Sequence, residues 1–311
     1  METHKNADSN FITDMNEPSA GFKSGFVMIA GAPNVGKSTL LNRVLGEKIS
    51  ITSNKAQTTR NRVLGVVHRP HGQMIFLDTP GVHKAQKELN LRMVEVAVAS
   101  MGDADLILFM VDLDTPDPES EAIILEKLAI ISKPAILALN KIDLVEKGAV
   151  YEAIDRWRGL HEFLAIVPIS AEKGHQVDLL LEEMEKALPE GPPYFPEDAI
   201  TDMPERFIVA EIVREKVFRL TGQEIPYATA VTVESFEEGP ELVKIHATIH
   251  LERDSQKGIV IGKKGAKLKQ IGETARLDIE RLLGIKVFLK LFVRIQKNWS
   301  RDPRALRRFG Y

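Results

Sequence analysis

The sequence predicts an α/β protein in which a doubly wound, mostly parallel sheet is followed by a smaller α+β unit. Residues 26–188 alternate short apolar runs with helical patterns, and such runs are typical of strands buried on both faces. Residues 189–204 then contain five prolines, which end a helix and favour an extended, semi-rigid spacer. Residues 205–296 follow a different order, α-β-β-α-α-β. We therefore expect two units joined by a proline-rich linker.

The elements of the first unit are predicted from these patterns. Strands are expected at 26–31, 62–68, 73–78, 106–112, 135–140 and 165–170, and helices at 37–46, 88–101, 119–131, 149–160 and 175–188. The run at 62–68 alternates more than the others and ends at Arg69-Pro70. We expect it to be an edge strand joined to the next strand by a tight hairpin, while the βαβ repetition makes the rest parallel.

The elements of the second unit follow from alternation, helical period and glycines. Helices are expected at 205–220, 255–261 and 266–283, and strands at 227–236, 242–251 and 286–295. Residues 237–240 (EEGP) are a hairpin turn signal between the first two of these strands. The segment 297–311 is predicted to be a basic C-terminal tail.

Composition restricts the class of protein. The 311 residues include no cysteine, which excludes disulfides and cysteine-ligated metal sites and suits a cytoplasmic location. Residues 1–25 are polar and without an apolar run, so we expect a disordered tail and no signal peptide. No stretch of about 18 apolar residues occurs, so we expect a soluble protein without a transmembrane helix.

The net charge of −3 hides an asymmetry between the two halves of the chain. Residues 204–311 hold 21 basic and 14 acidic side chains, whereas residues 1–203 hold 20 basic and 30 acidic ones. Such polarity suggests that the C-terminal half meets a polyanion, although a solvated basic face would give the same count.

A phosphate-binding loop is predicted at 31–38 (GAPNVGKS), which has the spacing GxxxxGK[ST] between an apolar strand and a helix. Its glycines allow backbone N–H groups to surround phosphates, while Lys37 would reach the β- and γ-phosphates and Ser38 would bind Mg²⁺. The loop alone does not distinguish ATP from GTP.

Guanine recognition is predicted from residues 140–143 (NKID), which follow the next-to-last strand. The Asp143 carboxylate can accept hydrogen bonds from N1–H and the exocyclic amine of guanine, a donor pair that adenine lacks. An unpaired, buried Asp143 would penalise adenine strongly. Asn140 would brace the neighbouring loops, and the backbone N–H of Ala171 in 170–174 (SAEKG) would donate to the base O6.

A magnesium site and a switch are predicted beside the phosphate loop. Asp78, in 78–81 (DTPG), would hold Mg²⁺ through water, and the Gly81 N–H would sense the γ-phosphate. The polar segment 50–60 would supply a threonine ligand in the GTP state, with Thr59 favoured over Thr58. Val82 stands where Ras-like proteins carry a water-positioning glutamine, so intrinsic hydrolysis should be slow.

The site residues predicted in this way form three groups. The nucleotide-binding residues are Gly31, Asn34, Val35, Gly36, Lys37, Ser38, Thr39, Asp78, Thr79, Pro80, Gly81, Asn140, Lys141, Asp143, Ser170, Ala171 and Glu172. The catalytic residues are Lys37, Thr59 and Gly81, and the metal ligands are Ser38, Thr59 and Asp78. Asn34 occupies the position of an asparagine in GTPases that use potassium, which suggests stimulation by K⁺.

An RNA-binding loop is predicted at 262–265 (GKKG) in the second unit. A GxxG turn between two helices lets a backbone of about four nucleotides pass close in KH domains. A glycine-bounded helix connection would explain GxxG alone, but the α-β-β-α-α-β order matches a type II KH fold. The predicted RNA-binding residues are Lys257, Gly262, Lys263, Lys264, Gly265, Lys267 and Lys269.

A GTPase domain at 26–188, a proline-rich linker at 189–204 and a type II KH domain at 205–296 together resemble the Era family of bacterial ribosome-assembly GTPases. The motifs QTTR at 57–60, DTPG and GKKG agree with that family over about 26–300. The resemblance implies binding to the 3′ end of 16S rRNA and to the 30S subunit during its assembly, with GTP opening the KH site. It also implies peripheral association with the inner face of the cell membrane; we expect a monomer.

Three other classes of protein are consistent with parts of the sequence. A GTPase whose C-terminal domain binds protein would not lose binding steeply with salt, as phosphate contacts do. A tRNA-modifying GTPase is disfavoured because the chain lacks the C-terminal cysteine and long flanking helices of that family. An ATP-driven enzyme is disfavoured by Asp143.

Overall fold

The computed structural model describes residues 21–52, 59–60, 62–81, 100–221, 225 and 229–309. Within these ranges, the first unit has a six-stranded sheet and four helices described from end to end, and residues 100–103 end a further helix. The strands are β1 (Lys23–Gly31), β2 (Val63–Arg69), β3 (Gly72–Asp78), β4 (Leu106–Asp112), β5 (Ala135–Asn140) and β6 (Ala165–Pro168). The helices are α1 (Lys37–Leu45), α2 (Pro118–Ile131), α3 (Lys147–Arg158) and α4 (Val177–Ala187).

The strand order is β2-β3-β1-β4-β5-β6, and the pairs β1/β3, β1/β4, β4/β5 and β5/β6 are parallel. The edge strand β2 is antiparallel to β3 and joined to it by a tight turn, which confirms the predicted hairpin. Side chains of β1 alternate between two cores: Val27 and Ile29 pack on one face, and Met28 and Ala30 on the other. Because helices cover both faces, the doubly wound fold predicted from the apolar runs is confirmed.

Several predicted boundaries of the first unit differ from the structure by one to three residues. Strand β1 begins at Lys23, so residues 23–25, which the sequence analysis placed in the tail, pair with β3. Strand β6 ends at Pro168 rather than at Ser170, which forms an isolated bridge with His175 in the next loop. The predicted tail before residue 21 and most of the helix predicted at 88–101 lie outside the described residues.

The proline-rich segment 189–204 lies along the first unit. The buried side chain of Gln73 accepts hydrogen bonds from the N–H groups of Tyr194 (2.7 Å) and Phe195 (3.0 Å) and donates to the Phe195 carbonyl (2.7 Å). Further on, the Val66 N–H donates to the Ile200 carbonyl at 2.9 Å. The Phe195 side chain packs on a small apolar cluster of β2 and β3. The predicted spacer is therefore fastened to the sheet.

The second unit packs helices on one face of a three-stranded sheet. Its helices are α5 (Glu205–Leu220), α6 (Asp254–Ile261) and α7 (Ala266–Leu283), and its strands are β7 (Ala230–Glu237), β8 (Leu242–Leu251) and β9 (Lys286–Ile295). The order is β7-β8-β9, with β7 antiparallel and β9 parallel to β8. This α-β-β-α-α-β order confirms the predicted type II KH fold. Strand β7 begins at Ala230, whereas the prediction started it at 227, and residues 226–228 lie outside the description.

The segment predicted to be a basic tail, 297–311, is folded over the part that is described. A 3₁₀ turn (Trp299–Arg301) leads into helix α8 (Pro303–Arg308). Trp299, Leu306 and Phe309 are buried against Ala230, although the arginines of this segment stay exposed. The segment is therefore not a free tail over its described residues, because four apolar side chains around the arginines form a small core that caps one end of the sheet. None of the helices in the described ranges is long and apolar enough to span a membrane.

A cluster of charges joins the two units. Lys48, which follows α1, lies 2.8 Å from Glu215 of α5 and 2.7 Å from Asp278 of α7. Lys216 also donates to Asp278, and the buried Glu215 lies 2.7 Å from Arg219, within ion-pair distance though without hydrogen-bond alignment. Burial raises the pKa of Asp278, but hydrogen bonds from Lys216 and Lys48 outweigh it and lower the pKa to about 2.

The first prediction concerns this cluster. Changing Asp278 to Asn should lower the free energy of unfolding at pH 7 by about 2 kcal/mol, since a carboxyl pKa shift of nearly two units is lost. Because the folded pKa of Asp278 is depressed, its contribution is complete above about pH 4 and disappears as the pH falls towards about 2. Urea denaturation of the wild type and variant at several pH values measures this difference.

The matched control is Asp155→Asn, which removes an exposed carboxylate 3.7 Å from Arg158 and should change stability by less than about 0.5 kcal/mol. Equal stability of the wild type and the Asp278→Asn variant at pH 7 would contradict the prediction.

Candidate functional site

A cleft of about 1290 Å³ opens at the carboxyl ends of the parallel strands. Most predicted nucleotide-binding residues line it together with the predicted metal ligand Thr59, namely Asn34, Gly36, Lys37, Ser38, Thr39, Gly81, Asn140, Lys141, Asp143, Ser170, Ala171 and Glu172. Gly31, Val35, Asp78, Thr79 and Pro80 are buried behind the lining. These five can act on a ligand only through their backbones or, for Asp78, through a metal ion.

The phosphate-loop lysine is held at the base of the cleft. Lys37 begins α1, is 6% exposed, and donates to the carbonyls of Gly31 (3.1 Å) and Ala32 (2.9 Å). Burial lowers the pKa of Lys37 to about 8, although the charge of Asp78 opposes this shift. Gly36 precedes it with φ of 102°, and a Cβ there would lie 2.4 Å from Nδ2 of Asn140. Only glycine fits this position.

The three predicted metal ligands converge beside Lys37. The Ser38 hydroxyl donates to Asp78 Oδ2 at 2.7 Å, and the hydroxyls of Ser38 and Thr59 are 2.9 Å apart. Asp78 is fully buried, and burial raises its pKa against the charge of Lys37. Its Oδ1 receives no hydrogen bond from the described part of the chain. Two hydroxyls and an unsatisfied carboxylate oxygen form a hard oxygen donor set that suits Mg²⁺.

The residues after Asp78 lie against the phosphate loop. Thr79 is buried and its hydroxyl donates to the Ile29 carbonyl at 3.3 Å, so its side chain belongs to the core. A Cβ at Gly81 would lie 2.6 Å from the backbone nitrogen of Pro33. This close approach brings the Gly81 backbone to the cleft wall, where it was predicted to sense phosphate. Val82 and Thr58 lie outside the described residues.

Asn140 connects the two loops on either side of it. Its Nδ2 donates to the Val35 carbonyl in the phosphate loop at 2.7 Å, and its Oδ1 accepts from the Ala171 N–H at 2.9 Å. The predicted bracing role of Asn140 thus has a direct geometric basis. The predicted hydrogen bond from the Ala171 N–H to the base O6 stays a prediction, and in this structure that N–H donates to Asn140.

The other predicted base-contacting side chains stand at the cleft mouth. Lys141 forms an ion pair with Asp112 at the end of β4, and its backbone has φ of 67°. Asp143 is exposed, whereas the argument for guanine discrimination assumed burial. The bound base itself must therefore remove water from the Asp143 carboxylate, so that leaving this carboxylate unpaired beside adenine becomes costly.

Several cleft residues carry no signal in the sequence. Arg43 of α1 donates from Nε to the Ala171 carbonyl at 2.5 Å and also to the Glu172 carbonyl, so it fixes the loop after β6. Asp112 accepts from the N–H groups of Asp114 and Thr115, which turn the chain after β4 along the rim. Arg219 reaches the cleft from α5 of the second unit. Their roles depend on tertiary contacts that no motif records.

The predicted RNA loop lies between α6 and α7. Gly262 has φ of 71°, and a Cβ there would lie 2.8 Å from the Cβ of Lys267. Lys263 and Lys264 form an exposed 3₁₀ turn, with Lys264 at φ of 51°. Among the other predicted residues, Lys257 and Lys267 are half-buried beside the loop, and Lys269 is exposed 3.8 Å from Glu273. The loop therefore presents two cations on a backbone that approaches α7 closely.

Comparison with known proteins matches both units. Residues 26–141 match the family described as 50S ribosome-binding GTPase, and residues 224–300 match the KH domain family. The chain is 58% identical over 292 residues to GTPase Era of Geobacter metallireducens, covering 93% of this chain and 98% of that protein. It is 50% identical to GTPase Era of Staphylococcus haemolyticus, covering 93% and 97%.

Solved structures agree with these relatives. A variant of Aquifex aeolicus Era bound to GDP·AlF4⁻ superposes with a TM-score of 0.90 at 46% identity, covering 93% of this chain and 99% of that one. Era in complex with MgGDPNP and nucleotides 1506–1542 of 16S ribosomal RNA gives the same values. Both solved structures cover the two units together.

The second prediction uses the lowered pKa of Lys37. Phosphates bound beside Lys37 should raise its pKa again, so nucleotide binding should take up almost one proton at pH 9 and almost none at pH 7. Affinity for GDP should accordingly fall by up to about tenfold per pH unit above pH 8. Calorimetric titration in buffers of different ionisation enthalpy measures the uptake.

Two variants serve as controls for this titration. Lys173→Ala removes an exposed lysine near the cleft and should keep the proton uptake, whereas Lys37→Arg should abolish it because arginine stays charged. Proton uptake that is independent of pH between 7 and 9 would refute the assignment.

Proposed function

The chain belongs to the Era family of GTPases, and from this premise we propose that it is a GTP-driven switch that binds 16S rRNA near its 3′ end during assembly of the 30S subunit. The observation that carries the proposal is the joint occurrence, on one chain, of the Asn140-braced nucleotide cleft and the Gly262–Gly265 loop. The solved Era structure containing 16S rRNA, which this chain matches over 93% of its length, supports the choice of RNA.

The proposed target is the small subunit, although the matching GTPase family is described by the 50S subunit. That family covers only 26–141, which is part of the nucleotide unit, and so it does not bear on the partner of the KH domain. The relatives called GTPase Era and the RNA-bound structure cover both units. We therefore give the RNA-bound structure more weight for the partner.

In the proposed site, this chain's residues position GTP and stabilise charge. Lys37 lies where its ammonium group would meet the β- and γ-phosphates, and Ser38, Thr59 and Asp78 would hold Mg²⁺. A Mg²⁺ ion bound there would neutralise charge that develops on the phosphates. The Gly81 N–H would report the γ-phosphate from its position against Pro33. Asp143 would select guanine once the base covers it.

Slow hydrolysis and stimulation by K⁺ remain predictions within this proposal. Asn34, at φ of 65°, lines the cleft at the position from which potassium use was suggested. A cytoplasmic monomer that associates peripherally with the inner face of the membrane is likewise a proposal. The exposed arginines of α8 are compatible with either RNA or an anionic surface.

The third prediction tests base selection. Changing Asp143 to Asn should weaken GTP binding at least about 100-fold and shift the preference towards xanthine nucleotides, because the amide donates to the xanthine carbonyl instead of accepting from guanine. Competition between GTP and XTP in a filter-binding assay measures the shift. Asp114→Asn, which removes an exposed carboxylate near the same rim, should leave GTP binding unchanged. Undiminished GTP affinity in Asp143→Asn would exclude this mode of guanine recognition.

The fourth prediction tests the RNA loop. The Lys263→Ala, Lys264→Ala double variant should weaken binding to 16S rRNA 3′-end RNA and reduce the slope of log K against log salt by about 1.4, while GTP hydrolysis stays the same. Lys147→Ala with Lys186→Ala removes two exposed lysines of the first unit and should change neither. If RNA binding and its salt slope survive the loop changes, the loop is not the RNA site, and a protein partner becomes the better explanation.

A further inference from the structure

The second sheet has one face that the helices do not cover. On β8 and β9, alternate residues such as Ile249 and Val287 point into the core under α5 and α7. The other set on β9 is exposed along the whole strand and alternates cations with aromatic rings. It consists of Lys286, Phe288, Lys290, Phe292 and Arg294. Helix α8 and Trp299 cap only the end of this face near Ala230 and His250.

Phe288 and Phe292 are large apolar side chains that the protein covers only in part. They are 50% and 44% exposed, and four residues of strand place them about 13 Å apart. The Phe292 ring is held by its neighbours, with Lys290 Nζ 5.2 Å from its centroid and the His246 ring edge-on at 6.1 Å. Both rings are therefore presented on a rigid strand rather than on a loop.

The cations on this face are not held in ion pairs, although the Glu280 charge acts on Lys286 and Glu234 lies in the same depression as Arg294. Lys286, Lys290 and Arg294 on β9, and Lys244 beside Phe288 on β8, form no ion pair with any residue that the structure describes. Charged residues on an edge strand protect it from pairing with another sheet, which explains the lysines alone. They do not explain why two phenylalanines stand between them. Aromatic rings interleaved with cations match single-stranded nucleic acid, whose bases stack and whose phosphates need positive charge.

The exposed face extends to Lys257 of α6, the helix that leads into the glycine-lysine loop. A depression of about 500 Å³ is lined by Phe292 and Arg294 of β9 and by Lys257 of α6, and Glu234 of β7 and Thr248 of β8 complete its wall. Lys257 is one of the residues predicted to contact RNA at the loop. A strand that leaves the loop past Lys257 therefore meets Phe292 first and Phe288 next.

We propose that the exposed face of β9 is a second RNA-binding surface, on which Phe292 and Phe288 stack bases of the single strand that continues beyond the Gly262–Gly265 loop. This inference rests on the proposed function, since the loop delivers the RNA. It adds a stacking platform that resembles the use of an open sheet face in other RNA-binding modules. Lys290 and Arg294 would meet the phosphates between and beside the stacked bases.

The test measures how the affinity of the full chain for RNA depends on RNA length, with and without the two phenylalanine rings. Wild type is titrated with a single-stranded RNA of about four nucleotides that fills the loop, and with the same RNA extended by about six nucleotides. The extension should raise affinity at least about fivefold, the value of one stacked base. The Phe288→Ala, Phe292→Ala variant should lose this gain and keep the affinity for the short RNA. If the extension is made of abasic nucleotides, the wild type should bind the extended RNA no more tightly than the alanine variant binds the normal extended RNA.

Matched variants separate stacking from folding. Phe288→Tyr with Phe292→Tyr retains the rings and should keep the length-dependent gain, and Tyr151→Ala, which removes an exposed ring of α3, should keep it as well. GTP hydrolysis should be the same in all of these proteins, and thermal unfolding should show that each variant is folded, because only about half of each changed ring of β9 is buried.

Each remaining outcome argues against the proposal in a distinguishable way. A wild type that binds the short RNA but gains nothing from the extension refutes the second surface alone. If the alanine variant gains as much affinity from the extension as the wild type, the second surface is refuted. This holds even if that variant loses binding to a protein partner. A wild type that binds neither RNA overturns this surface together with the proposed function.

Discussion

The nucleotide site depends on the side-chain amide of Asn140. One amide group bonds to the phosphate loop through the Val35 carbonyl and to the loop after β6 through the Ala171 N–H, while its backbone ends β5. Because Asn140 is 2% exposed and both ends of the amide are satisfied, the positions of these loops are set by the fold. The same packing requires glycine at position 36, because a Cβ there would collide with the Asn140 amide. Arg43 ties the last loop to α1 independently, so the cleft is preorganised for a ligand that contacts both ends.

The segment between α1 and β2 connects this cleft to the second unit. Thr59 reaches the Ser38 hydroxyl, and the next residue, Arg60, is buried with Nη1 2.8 Å from the Thr229 carbonyl and its guanidinium over the Trp299 ring. Earlier in the segment, the Thr52 hydroxyl accepts from Arg219 at 3.0 Å. Since Thr59 and Arg60 share a backbone, any movement of Thr59 away from the phosphate loop also disturbs the contact with the KH domain. Through an element that contacts both sites, a ligand bound at one of them can shift the equilibrium between two arrangements of the protein.

The sequence predicts helices, strands and motifs correctly where neighbouring residues alone determine them. The bounds of α5, β8, α7 and β9 agree with the predicted ones, because strong periodicity and the flanking Gly265 and Gly284 define these elements. The phosphate loop, the Asp78 segment and the glycine-lysine loop also lie where their motifs place them. The prediction was incomplete where function depends on tertiary contacts. The docking of 189–204 depends on the buried Gln73, on a backbone bond from Val66 and on the packing of Phe195, and the cap at 299–309 depends on apolar residues between arginines. A sequence motif also does not show that the Ala171 N–H donates to Asn140 or that Asp143 is exposed.

The fastened linker changes how the contacts between the units should be weighed. A free 16-residue spacer would let the KH domain move away, and single ion pairs near a protein surface stabilise a complex by little. Here the bonds to Gln73 and Val66 hold the spacer almost as far as the start of α5, which itself carries Glu215, Lys216 and Arg219. Little chain entropy then remains to be lost when Lys48 meets Glu215 and Asp278, so the effective concentration of the partners is high. For the same reason, we expect the contacts of Lys48, Thr52 and Arg60 with the second unit to form and break together.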